Sequence, residues 1–250
     1  MNNGIKVLSP ESLEVPDNII LGFSTRIGGV SPEPFQSLNM STSRGDSESN
    51  VQKNRARFLD YFQATEADVA QGRQIGSDGI HKVQSPGVYP NCDALITDQK
   101  QVLLGVLTAD CAPVLIWSSD SALVASVHSG WQGSELDILG KTIKKMKSDY
   151  SVSPESLHLV IGPGLTVDNF EVGPEFIDKF PCQYLHDQEQ GRFKFDNNRY
   201  LNDRAIACGV PPAQIEVLKY CSYKDNDLFF SHRRDNNITG RMMSIIGMNE

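Results

Sequence analysis

Short apolar runs parted by turn-forming residues dominate the middle of the chain. Val114–Trp117 and Ala122–Val127 are rich in valine, isoleucine and alanine, and Ser118–Ser121 separates them. That pattern predicts an antiparallel hairpin. Asn18–Ser24, Asp93–Thr97, Gln101–Leu107, Leu157–Ile161 and Ile215–Tyr220 also read as strands. A further strand is expected around Gln74–Ile75, and another through His81 and Val83 beyond a Ser-Asp-Gly turn. Leu228–Ser231 is strand-like. Helical spacing takes over where Val51, Phe58, Leu59 and Phe62 form a stripe behind a cap at Asp46 or Ser47. Past Gly133 a second stripe joins Ile138, Leu139, Ile143 and Met146. Pro174–Phe180 reads as a short helix. A last one opens at Asp196 or Asn197, carries Leu201, Ala205 and Cys208 on one face, and stops at Gly209 and Pro211. Strands and helices interleave throughout, which predicts one α/β (α+β) domain over residues 1–250, with mixed sheets flanked by helices.

The hairpin carries the chemistry. Cys111 lies just before its first strand and His128 just after its second, so antiparallel pairing brings both to the same end of the sheet. Gly130 and Gly133 free the backbone around Trp131. A thiol beside an imidazole in a glycine-lined mouth serves either a metal site or a Cys–His catalytic pair. Asp110 adjoins the thiol, where it either orients a ligand and accepts a proton or bonds its own backbone as a turn residue. The loop Thr25–Asn39 holds two adjacent glycines and two prolines and places Arg26 directly after a strand. There Arg26 is either an anion clamp or a solvated side chain. Arg55 sits on or near the apolar stripe of its helix and needs an anionic partner there.

Bulk composition narrows the classes. With 250 residues, 39% hydrophobic and 22% charged, the chain can bury a substantial core. A net charge of -8 argues against a nucleic-acid binder, which needs a basic face. Lys141, Lys144, Lys145 and Lys147 cluster towards a helix C-terminus and read as a solvated face. Five scattered cysteines give no disulfide framework, so reduced thiols are expected. No apolar run has signal-peptide or membrane-spanning length. A soluble, cytoplasmic protein with no membrane partner is expected.

The blocks STRIGGVSPEPFQSLNMS, NVQKNRARFL, TADCAPVLI, VHSGWQG, IGPGL with FEVG, and LFFSHRRDNNITGR together carry a resemblance. In order, they resemble the successive blocks of the laccase-domain (YfiH-type) family. Its members are also called multicopper polyphenol oxidases, purine nucleoside phosphorylases or peptidoglycan editing factors. The resemblance implies an α/β/β/α fold and a metal-dependent enzyme that phosphorolyses adenosine, inosine and methylthioadenosine and deaminates adenosine. It implies zinc or copper held by one cysteine and two histidines, of which Cys111 and His128 match by position. Its small-molecule partners are a purine nucleoside and phosphate. For the phosphate, Arg26, Arg55, Arg233 and Arg234 are the available cations, and Asn39 falls in a family block as a pocket hydrogen-bonder.

Two positions depart from the family pattern. Gly76 stands where the first ligand histidine belongs, and Gln132 stands where an arginine is usual. Zinc or copper should therefore bind weakly, unless His81 or Cys92 replaces the missing ligand. If a metal is held, its bound water would attack C6 of adenine. Trp131 either stacks a purine or packs beneath the loop. Two other classes remain open. One is a metal-free Cys–His hydrolase or amidase acting on a peptidoglycan precursor, with Cys111 as nucleophile and His128 as base. The other is a non-catalytic nucleoside-binding homologue. Phenol oxidation would need more histidines than the five present.

Overall fold

A computed structural model describes residues 4–249. Two six-stranded sheets stack face to face, and helices cover both outer faces. The first sheet runs Val7–Leu8, Ile19–Ser24, Met242–Met248, Leu103–Thr108, Val69–Gly72, Gly87–Tyr89. The second runs Ile215–Val217, Leu157–Ile161, Ala112–Ser118, Val124–Ser129, Ala94–Thr97, Ile80–Lys82. Both mix parallel and antiparallel neighbours. Phe23, Leu104, Val106 and Ile246 from one sheet meet Leu95, Leu115, Trp117 and Val160 from the other in the central core. Outside the second sheet, Ile138, Ile143 and Met146 of helix Ile138–Tyr150 and Leu201 of helix Asn197–Ala207 pack on Val114, Ile116 and Val127. Outside the first, Phe58 and Leu59 of helix Glu48–Asp60 pack on Val69, Leu103 and Met243.

The layering explains the sequence pattern. Strand Ala112–Ser118 is buried at all seven positions because core lies on both its faces, so its residues read as a continuous apolar run rather than an alternation. The hairpin forms as expected, with Pro113 opposite His128 and Ala112 opposite Ser129. Helix Glu48–Asp60 begins at Ser47, whose hydroxyl accepts a hydrogen bond from the Asn50 N–H. Arg55 finds its anion in Glu66, at 2.6 Å.

Four elements differ from expectation. The strand before the Ser-Asp-Gly turn is Val69–Gly72 and ends before Gln74. The Gln74 carboxamide instead accepts from the Leu107 N–H and donates to the Leu107 carbonyl, replacing a ladder rung with a side chain. Pro174–Phe180 holds only a 3-10 turn over Pro174–Phe176. Phe176 and Phe180 are buried in an aromatic cluster with Phe170 and Phe195 beside a small sheet, ordered Glu171–Val172, Phe193–Phe195, Leu185–Asp187. Leu228–Ser231 is irregular: its Phe229 carbonyl accepts from the Arg234 guanidinium and its Leu228 carbonyl from the Arg26 N–H. Strand Met242–Met248, which sequence reading passed over, runs through the middle of the first sheet.

Candidate active site

Strand pairing sets Cys111 and His128 side by side at one end of the second sheet, where both line one pocket. A third member comes from the neighbouring strand. The Asp93 carboxylate lies 2.8 Å from His128 Nδ1, which leaves Nε2 for the thiol. Asp93 is itself fixed by the backbone N–H groups of Ile75, Gly76 and Ser77 and by the Ser77 hydroxyl. Burial alone would raise its pKa, but the His128 and Ser77 hydrogen bonds outweigh it and hold the carboxyl well below the usual range. For His128, burial disfavours the charged ring, while Cys111 and Asp93 favour it more strongly and push it up to about 10. An imidazole oriented by a carboxylate and set beside a thiol can accept and return a proton.

The backbone around this array is specialised. Asp110 has φ of 92°, an unusual conformation for a residue with a side chain, immediately before Cys111. It is locked there by Ser222 Oγ at 2.7 Å and the Arg233 N–H at 2.7 Å. Gly130 must be glycine, because a Cβ on it would stand 2.7 Å from Cys111 Sγ.

Cys111 and His128 open into a pocket of about 570 Å³, within the usual range for small-molecule sites. Its cations are Arg44, Arg73 and Arg241, and His232 also lines it. Burial and then the charge of Arg44 lower the Arg241 pKa, so the two guanidiniums share a region that favours an anion. His232 Nδ1 is buried without a hydrogen-bond partner, and burial followed by the charge of Arg241 lowers the pKa of the ring.

The other residues singled out from sequence lie elsewhere. Asn39 is fully buried beneath the pocket, where it bonds Asp46, the Ser41 backbone and the Arg241 N–H, and so seats Arg241 rather than facing the cavity. Both Asp110 oxygens are engaged, by the Ser222 hydroxyl and the Arg233 N–H. Arg26 donates to the Gln36 and Asn226 carbonyls and stacks over Phe230 on a different surface cleft. Arg55 is committed to Glu66, Gln71 and the Met40 carbonyl. Arg233 donates to the Asn169 and Glu171 carbonyls and stacks on Phe170. Arg234 pairs with Asp235 and donates to the Ser222 and Phe229 carbonyls. Trp131 packs against Phe176, 5.5 Å between ring centroids. Sequence reading missed His232, Arg44, Arg73 and Arg241 as pocket groups, and Asp93 as the carboxylate behind His128. Asp93 had a signal: it opens a wholly buried apolar strand, where a carboxylate requires a partner.

The donor set does not fit a complete catalytic zinc site. Among the described residues, no three His, Cys, Asp or Glu side chains are arranged to hold a metal ion. Gly76 offers no donor, its φ is +75°, and a Cβ there would meet Gln132 Oε1 at 2.6 Å. The two candidate replacements point elsewhere. His81 lies edge-on to the Tyr89 ring. Cys92 is fully buried, its thiol pushed up to about 11 by burial and then by Asp93. Two donors remain where catalytic zinc normally has three.

Comparison with known proteins supplies the context for this geometry. Residues 20–249 match the sequence model of the multi-copper polyphenol oxidoreductase laccase family. The purine nucleoside phosphorylase of Deinococcus radiodurans is 32% identical over 248 residues, 98% of this chain and 94% of that protein. The purine nucleoside phosphorylase YfiH of Escherichia coli K12 is 32% identical over 236 residues, 92% of this chain and 94% of that one. The crystal structure of YlmD from Geobacillus stearothermophilus superposes with a TM-score of 0.90 at 29% identity, covering 94% and 93% of the two chains. That of Bacillus licheniformis YfiH gives 0.89 at 31%, covering 92% and 93%. The chain belongs to the multi-copper polyphenol oxidoreductase laccase family.

Proposed function

We propose that this chain is a purine nucleoside enzyme, phosphorolysing adenosine, inosine and methylthioadenosine and deaminating adenosine in the Cys111–His128 pocket. One observation carries the reading: an imidazole pinned by Asp93 shares a pocket with the three guanidiniums of Arg44, Arg73 and Arg241. The relatives named purine nucleoside phosphorylases support it.

In phosphorolysis the arginines hold the phosphate dianion and place one oxygen against ribose C1′. As that C–O bond forms, the N-glycosidic bond breaks and its electron pair leaves with the purine. His128 donates the proton that makes the base a neutral leaving group, and solvent restores it. His232 Nδ1, lacking a protein partner, is free to bond the nucleoside. No step requires a metal. Five free cysteines support a reducing, cytoplasmic setting.

Incubating the protein with inosine, with and without inorganic phosphate, tests this by chromatography. Hypoxanthine and ribose 1-phosphate appearing only with phosphate is the expected result. No turnover of any purine nucleoside, with release of an amide-linked group from a peptidoglycan precursor, would replace the reading with the Cys–His hydrolase.

A further inference from the structure

Phosphorolysis gives Cys111 no bond to make, yet the fold invests heavily in aiming it. Strand pairing sets the thiol beside His128 in one pocket, and His128 is held through Nδ1 by Asp93 at 2.8 Å. Asp93 is anchored in turn by three backbone N–H groups. The left-handed Asp110, φ 92°, turns the chain sharply just before Cys111, and glycine at 130 leaves room for its sulfur. A nucleophile, a base set beside it and a carboxylate orienting the base are the parts of a covalent catalyst. Gly76 places no third donor beside the sulfur and the imidazole.

We propose that Cys111 is a nucleophile towards C6 of 6-substituted purine nucleosides, so that deamination in this chain passes through a covalent purine thioether. The inference rests on the purine nucleoside reading. With its proton already on His128 Nε2, Sγ attacks C6, and the displaced π-electron pair moves onto N1. That pair returns as the C6–N6 bond breaks, and His128 gives its proton to the departing amino group, which leaves as ammonia. Water then loses a proton to His128 and attacks C6. The C6–S bond breaks, its electron pair stays with the sulfur, the proton is again on His128, and inosine is released. Adenosine and water become inosine and ammonia, with the enzyme unchanged.

The test uses 6-chloropurine riboside, whose C6 chloride departs without needing a proton. The protein, as purified and again with EDTA, is incubated with the probe, digested and analysed by mass spectrometry. One equivalent on Cys111, unaffected by EDTA and suppressed by excess inosine, is expected. The His128→Ala variant should react at least tenfold more slowly and Cys111→Ser not at all. Inosine protection on the unaltered protein keeps the test valid if either variant misfolds. Inosine binding by calorimetry without a Cys111 adduct would overturn the nucleophile and leave the nucleoside reading standing. So would labelling shared with the exposed Cys182 and indifferent to inosine. If inosine neither binds nor protects, the nucleoside reading itself fails.

Discussion

Asp93 Oδ1 sits 2.8 Å from His128 Nδ1, and the same two residues are joined again through the His128 N–H and the Asp93 carbonyl at 2.7 Å. Side chain and backbone thus fix one imidazole against its neighbour strand. The base beside Cys111 is rigid because it belongs to a sheet, and sites built on strands hold their geometry better than sites on loops.

This pairing makes Asp93→Asn informative. The carboxamide keeps the volume but loses the charge that orients and supports the imidazolium. We expect kcat for nucleoside turnover to fall by about 10²–10⁴, the usual worth of general acid–base catalysis. Circular dichroism should show the fold intact.

Gly130→Ala tests the closeness of backbone and thiol. Its Cβ would stand 2.7 Å from Cys111 Sγ, so the thiol must move. Overpacking of this kind costs about 1–3 kcal/mol. Activity should drop more than thermal stability, as read by kcat beside the melting temperature.

Arg241 separates binding from chemistry. Arg241→Ala removes a guanidinium from the pocket without touching the Cys111–His128 pair, so KM for phosphate should rise at least tenfold with a smaller change in KM for inosine. Its support can be tested separately. Asn39→Ala strands the Arg241 and Ser41 N–H groups, and leaving a buried polar group unpaired costs about 1–3 kcal/mol by urea unfolding.

Acid stability should depend on Glu216. Burial tends to raise its pKa, but hydrogen bonds from the N–H groups of Glu11, Ser12 and Leu13 and from the Ser12 hydroxyl prevail and lower it. A depressed carboxyl stabilises the fold above its unfolded value, near ~4.3, and loses that contribution as pH falls through the folded value. Glu216→Gln should therefore be less stable than the parent at pH 7, and the gap should close towards pH 3 in urea melts.

Much of this architecture was legible in the sequence, for a physical reason. Strands buried on both faces are continuous apolar runs, so the hairpin stood out and fixed Cys111 beside His128. What stayed hidden depends on partners distant in sequence. Arg26, Arg233 and Arg234 looked like free cations, but nearby carbonyls and rings take them up. Arg44, Arg73 and Arg241 form the cationic wall only because loops far apart in sequence meet there. Strand Met242–Met248 follows an Asn-rich turn and an arginine, and its place in the first sheet depends on Ile19–Ser24, more than 200 residues earlier.

A crystal structure with inosine and phosphate tests the central claim most directly. The account predicts the purine beside Cys111 and His128, and phosphate among Arg44, Arg73 and Arg241. Nucleoside bound in another cleft, with this pocket holding only solvent, would contradict it.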